Sequence, residues 1–111
     1  MAGVKVIALQ APLSFLNAYD FRAAIDGITS RSDRVGLVVI EANALVEIDY
    51  TGATVLGALV HALRARGTDV AVARLESLRA QHSFARLGLA ALIGRDHIFH
   101  SVQEAVDALA R

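Results

Sequence analysis

Leu37-Val-Val-Ile-Glu-Ala-Asn-Ala-Leu-Val-Glu-Ile-Asp-Tyr-Thr-Gly52 is the stretch on which the reading of the fold turns: an uncharged apolar run, a short polar bend, and the start of a helix. Residues 37–40 are rich in β-branched side chains and carry no charge, which suits a strand covered on both faces and therefore central in its sheet. After Gly52 the apolar residues Leu56, Leu59, Val60 and Leu63 recur at i, i+3, i+4 and i+7, the spacing of one helix face. The bend thus delivers Asp49, Tyr50 and Thr51 to a helix N-terminus at the carboxyl end of a buried strand. Open α/β sheets place ligands and modifications there.

Outward from this unit, residues 4–9 read as a first strand, ended by the single proline, Pro12. Residues 14–16 add a short second strand, and Asn17 is placed to cap a helix whose face is Phe21, Ala24, Ile25 and Ile28. The polar run 29–34 is a solvated loop and the expected place for local mobility. The second helix closes at Gly67, with Arg64 and Arg66 in its last turn. Residues 69–73 alternate around Val70 and Val72 as a strand. Residues 75–87 form a helix with Ala80, Phe84 and Leu87 on its face, stopped by Gly88. The short apolar run 89–93, a turn at 94–96 and a brief strand at 97–99 follow. Ser101 and Glu104 then make a capping box for a last helix faced by Val102, Ala105, Val106 and Leu109. Strands alternating with helices predict an α/β fold: one mainly parallel or mixed sheet of four to five strands, faced by helices, in a single domain over residues 1–111.

Composition narrows the function classes. Eleven basic and eleven acidic residues leave no net charge and no basic cluster, which argues against nucleic acid as a partner. The hydrophobic content of 55% exceeds the usual ~45–50%, and four Phe and two Tyr are the only aromatic residues, so the core is aliphatic. Without cysteine there are no disulfides, thiolate nucleophiles or thiolate metal ligands. Residues 50–63 lack charge but fall short of the ~20 residues of a membrane span, and Met1-Ala-Gly has no signal-peptide character, so a soluble chain is expected.

Three stretches together resemble a STAS domain, the module shared by SulP-type anion transporters and bacterial anti-sigma-factor antagonists. Ile48-Asp-Tyr-Thr-Gly52 matches the family's Asp-x-Ser/Thr-Gly motif after an apolar strand. Ala11-Pro-Leu-Ser-Phe-Leu-Asn-Ala18 is similar to the transporter branch, where a Phe-x-Asn-Ala pattern precedes the first helix. The tail, from Leu87-Gly88 through Ile93-Gly94 and His97-Ile-Phe99 into an acidic-capped helix, is the family's usual ending. The resemblance implies helices packed chiefly on one side of the sheet and a non-enzymatic regulatory role. Three residues depart from the pattern: Glu41 stands where aspartate is frequent, Val46 where proline is frequent, and Tyr50 is bulkier than the usual serine.

By the same resemblance Thr51 occupies the place of the phosphoacceptor of the antagonist branch, beside the motif residues Asp49, Tyr50 and Gly52. The plainer reading is that Asp49 and Thr51 cap the second helix. Nucleotide binding in the family points to Asn17, Thr51 and Gly52 as a place for an anion or nucleotide phosphate, against which Asp49 would act. No other cofactor is implied. Glu47 and Asp49 lie on a bend with no nucleophile, base or metal beside them, so no catalytic residue is assigned. His61, His82, His97 and His100 sit on three separate elements without metal-ligand spacing and read as surface or packing residues, so no metal is assigned. Gly52 and Gly57 read as points of close packing of helix on sheet, since no phosphate-loop spacing is present.

The expected partner is the transmembrane portion of the chain's own transporter, at the cytoplasmic face of the inner membrane, with a homodimer as a further option. The alternative is a free-standing cytoplasmic antagonist that binds an anti-sigma factor or a related kinase. The run Leu89–Ile93 is the candidate contact surface, with burial under the last helix as the competing reading.

Overall fold

The computed structural model describes residues 3–9, 13–14, 17–29 and 34–110. Four strands form one sheet in the order β1 (Gly3–Ala8), β2 (Val35–Glu41), β3 (Asp69–Ala73) and β4 (Ile98–Phe99), and every neighbouring pair is parallel. The connections are α1 (Ala18–Thr29), α2 (Tyr50–Ala65), and the pair α3 (Leu78–Arg86) and α4 (Leu89–Ile93); α5 (Val102–Leu109) follows β4. Because parallel crossovers share one hand, strands laid down in simple sequential order must carry all their connecting helices on one face. Accordingly Ile25 of α1, Leu56, Leu59, Val60 and Leu63 of α2, Phe84 of α3 and Leu89 of α4 share one core with Val38, Ile40, Val70 and Val72 of the sheet. Helix α5, which follows β4, packs on the opposite face. There Ala105 packs with Leu37, Val39, Ala71 and Ala73.

This places β2 between two strands and two helical layers, and Leu37, Val38, Val39 and Ile40 are at most 2% exposed. The continuous apolar run is explained by that double burial. At the edge, β1 is half-covered: Val6 is 51% exposed, beyond the reach of the eight-residue α5. Helix α2 ends in a Schellman motif, with the Thr68 amide donating to the Leu63 carbonyl at 2.9 Å and the Gly67 amide to the Arg64 carbonyl at 3.0 Å. Gly67 and Gly88 end α2 and α3 with φ of 85° and 83°, a conformation that costs a side-chain-bearing residue steric strain.

Several expectations are corrected. Of the strand expected at 14–16 only Ser14 is described, and it is irregular; Phe15 and Leu16 lie outside the described residues, as do Pro12 and loop residues 30–33, while Leu13 makes an isolated parallel bridge to Ile48. Ala24 is exposed, because α1 turns Ala18 and Ile25 fully inward and leaves Phe21 and Ile28 half-buried. Leu89–Ile93 is a short helix packed on α2, on the face opposite α5, so it neither lies under the last helix nor stands free. Leu89 and Ile93 are buried, Leu92 is 39% exposed, and a Cβ on Gly57 would meet Leu92 Cδ2 at 3.3 Å. Gly57 therefore serves the contact between two helices rather than helix on sheet. The Ser101 hydroxyl accepts from the Glu104 amide at 3.1 Å, as expected, while the Glu104 carboxylate takes the Ser101 hydroxyl at 3.3 Å.

The amino end of the sheet is tied by charge. Arg64 donates to the carbonyls of Leu92 and Ile93, both at 2.7 Å, which satisfies the last turn of α4, and lies 3.4 Å from Asp69. His97 bridges Asp69 at 2.8 Å through Nε2 and Asp96 at 2.9 Å through Nδ1. Burial opposes the charged imidazole, but the hydrogen bonds and charges of Asp96 and Asp69 outweigh it and raise the His97 pKa. The His97 hydrogen bond and charge lower that of Asp96. A raised histidine pKa stabilises the fold fully below the unfolded value of about 6.5 and loses that contribution as pH rises through the folded value; a lowered Asp96 acts above about pH 4 and fades as pH falls through its folded value. The clamp is thus strongest between about pH 4 and pH 6.5. Thermal melts should show the parent above His97→Gln within that window, with the gap closing as pH rises past the folded histidine pKa. A gap independent of pH would assign His97 to packing alone.

Candidate functional site

The bend after β2 is held by its apolar residues. The Ala42 amide donates to the Ala73 carbonyl at 2.8 Å, extending the ladder by one step, and the Leu45 amide returns to the Ala42 carbonyl at 3.0 Å. Ala42, Leu45 and Ile48 are buried at 0, 0 and 2% exposure, so the bend is plugged into the core at three points and its polar residues face out between them. Glu41 accepts from the Asn43 amide at 2.7 Å, a local turn contact made by the residue where the family pattern often has aspartate.

The loop before α1 closes onto this bend. Leu13 donates its amide to the Glu47 carbonyl at 3.1 Å and accepts from the Asp49 amide at 3.2 Å, the two bonds of the Leu13–Ile48 bridge. Asp49 has extended backbone (φ −92°, ψ 177°) and caps α2, its Oδ1 accepting from the Gly52 amide at 2.7 Å. Tyr50 and Thr51 are the first two helical residues, so capping belongs to Asp49 and Thr51 is free of that duty. Gly52 faces the loop: a Cβ there would lie 2.6 Å from the Leu13 carbonyl oxygen and 2.9 Å from its carbon. No side chain fits without moving backbone. The motif glycine is thus required chiefly by Leu13, thirty-nine positions upstream, with Ile48 Cγ1 at 3.2 Å as a second close neighbour.

The site residues named from sequence come together only in part. Asp49, Tyr50, Thr51 and Gly52 form one turn, with Thr51 half-buried and Tyr50 75% exposed. Asn17 stands at the head of α1, where its Oδ1 accepts from the Ser14 amide at 2.9 Å and its carbonyl accepts from the Phe21 amide at 3.0 Å. Its loop adjoins the bend through Leu13. At the α2 N-terminus an incoming phosphate meets the Asp49 carboxylate, which already holds the Gly52 amide. Glu47 lies 3.7 Å from Arg79 of α3, so Glu47 and Asp49 serve separate partners and make no acid/base pair. The Ser77 hydroxyl donates to the Val46 carbonyl at 3.2 Å, a second link between the bend and α3. Among the described residues no group of His, Asp and Glu has the arrangement of a metal site.

Sequence reasoning missed two exposed apolar residues at this end. Tyr19, in the first turn of α1, is 66% exposed, and Leu78, the first residue of α3, is 71% exposed. A signal for Leu78 was present, since it falls off the Ala80, Phe84 and Leu87 face.

The comparisons with known proteins agree with one another. A family model described as STAS domain matches residues 2–105. A probable sulfate transporter of Mycobacterium tuberculosis strain H37Rv is 37% identical over 115 residues, covering 98% of this chain and 20% of the transporter. The chain therefore spans about a fifth of the length of that relative. Among solved structures, a murine Slc26a9 anion transporter superposes with a TM-score of 0.86 at 22% identity, over 100% of this chain and 18% of that one. The SulP transporter STAS domain of Vibrio cholerae superposes with a TM-score of 0.76 at 20% identity, over 95% and 79%. At these identities the superpositions speak for the fold alone. Among the described residues no helix is long and apolar enough to cross a membrane.

Three substitutions separate the roles at the bend. Asp49→Ala should cost ~0.5–2 kcal/mol through loss of the cap. Gly52→Ala should cost ~1–3 kcal/mol or more, because it overpacks against the Leu13 backbone. Thr51→Ala should stay within about 0.5 kcal/mol, since no cap is lost. Urea denaturation of the three variants checks the order, and a Thr51→Ala loss equal to that of Asp49→Ala would refute the division of labour.

Proposed function

The chain belongs to the STAS domain family, and from that membership we propose that it is the non-enzymatic regulatory and interaction domain of a SulP-type anion transporter, at the cytoplasmic face of the inner membrane. The observation that carries this reading is the apolar surface at the carboxyl end of the sheet. Tyr19, Val46, Tyr50 and Leu78 are 66, 50, 75 and 71% exposed. Three of them lie in the first turns of α1, α2 and α3, and the fourth lies in the bend that bonds to Ser77. Single exposed apolar side chains are ordinary, but their concentration at one end of a fold marks a contact surface. The likeness to a fifth of a probable sulfate transporter supports the transporter's own membrane portion as what meets it.

The motif stands inside this surface. A phosphate on Thr51 would bring about −1.5 to −2 charges to the contact face at a helix start, without entering the core. The helix dipole favours that charge by ~0.3–1 kcal/mol, and the Asp49 carboxylate two residues away opposes it by a similar amount. Modification therefore acts on the partner and leaves the fold nearly unchanged. Covalent attachment at Thr51 is favoured over a bound nucleotide, because Asp49 already holds the Gly52 amide that a nucleotide phosphate would need.

The test uses the whole reading frame from which this chain comes. A photo-crosslinker at position 50 or 78 should join the domain to the membrane portion, and Tyr50→Ser with Leu78→Ser should lower anion uptake about fivefold or more, as expected when anchors worth over ~1 kcal/mol are lost. Thr51→Glu should change uptake while Thr51→Ala leaves it near the parent, with both variants folded. Equal loss in the two Thr51 variants, tracking loss of stability, would make Thr51 structural. A frame without membrane spans whose product cross-links to an anti-sigma factor or related kinase would move the reading to a free-standing antagonist.

A further inference from the structure

A second feature of the carboxyl end lies away from the motif. The chain leaves β3 toward α3 on one face and leaves β4 toward α5 on the other, so the two connections diverge and open a crevice between them. Crevices of this kind, outside the carboxyl ends of strands whose connections part to opposite faces, are where open α/β sheets bind small molecules. Here the crevice is a cavity of about 580 Å³, within the size range of ligand sites. Its floor is apolar, built from the half-buried Ile98 and Phe99 over the buried Phe84, and its rim carries Arg74, Arg95 and His100 with Glu76 as the one carboxylate.

The charges are arranged unequally. Arg74 lies 3.8 Å from Glu76, while Arg95 and His100 have no ion-pair partner among the described residues. Two guanidiniums against one carboxylate leave one positive charge in excess among the arginines and the carboxylate of the rim, over an apolar floor. Arg74 also has a φ of 59°, the one positive value at a non-glycine position among the described residues, and its amide is held there by the Phe99 carbonyl at 3.0 Å. Left-handed backbone at a residue bearing a Cβ is strained, and such strain gathers at ligand clamps. Gln81 donates to the Leu75 carbonyl at 2.8 Å and so keeps the strained loop in shape.

We propose that the cavity between the β3 and β4 exits binds a small carboxylate with a flat apolar body, the carboxylate on Arg95 and Arg74 and the body on the half-buried Ile98 and Phe99. A planar guanidinium fork matches a carboxylate in two parallel bonds, and the single excess charge suits a monoanion. The site is separate from the Thr51 bend and does not depend on what the bend contacts.

Amide NMR titration of the 111-residue chain tests it with three probes: benzoate, acetate and benzamide. Benzoate should bind with a dissociation constant of about 1 mM or tighter and shift the amides of residues 74, 95 and 98–100. Acetate lacks the body and benzamide lacks the charge, so each should bind at least about tenfold more weakly. Arg95→Gln should weaken benzoate about fivefold or more with an unchanged melting temperature. Arg74→Gly should weaken benzoate too, yet melt at or above the parent temperature, because glycine relieves the strained φ. Benzoate shifts centred on residues 49–52, equal binding of benzamide, or full benzoate affinity in Arg95→Gln would each overturn the site. Tighter binding of phenyl phosphate than of benzoate would overturn the assignment to a carboxylate.

Discussion

The contact between the Leu13 carbonyl and the start of α2 is the constraint on which the carboxyl end of this fold depends. One peptide unit accepts from the Asp49 amide at 3.2 Å and closes against Gly52 so tightly that a Cβ would come within 2.6 Å. Asp49 is thereby set in extended backbone at the point where its carboxylate reaches the Gly52 amide. The same contact brings the loop ahead of α1 beside the bend ahead of α2. Tyr19, Tyr50 and Thr51 thus share one end of the molecule through a backbone contact, with the apolar plug of Leu45 and Ile48 beneath it.

The two ends of the sheet are built on different physics. At the amino end Arg64, Asp69, His97 and Asp96 form a chain of ion pairs and hydrogen bonds that closes α2, β3, α4 and β4 on one another. At the carboxyl end the strands point into loops and helix starts, and large apolar side chains remain exposed. A parallel sheet with sequential crossovers enforces this difference: every helix that returns over the sheet must begin at the carboxyl end and finish at the amino end. Positive helix termini, loop variation and contact surface accumulate on one side.

Family membership rests on a match over nearly the whole chain, while the superpositions at 18–22% identity establish a shared fold. A fold hosts more than one function, so the proposed interaction role is carried by the coincidence of exposed apolar area with the Asp-Tyr-Thr-Gly turn. The absence of a carboxylate pair at Glu47 and Asp49 follows from geometry: one side chain answers Arg79, the other an amide.

The sequence by itself determined the alternation of β1, α1, β2, α2, β3, α3, β4 and α5, though not α4, and also the central place of β2, the ends of α2 and α3 at Gly67 and Gly88, the Ser101 cap, and the turn that holds Asp49 and Thr51. These are signals of near neighbours: alternation, a repeat of three and four, a cap or a stop within one turn. Tertiary structure alone decided that Ala24 faces out, that Gly57 meets Leu92 instead of the sheet, that Gly52 answers to Leu13, and that His97 is clamped between Asp69 and Asp96. It also decided that Arg74, Arg95 and Phe99 surround one cavity. Each of these depends on residues brought together by the crossovers of the sheet from distant positions or across a turn whose shape the packing sets, and local periodicity carries no record of such pairs.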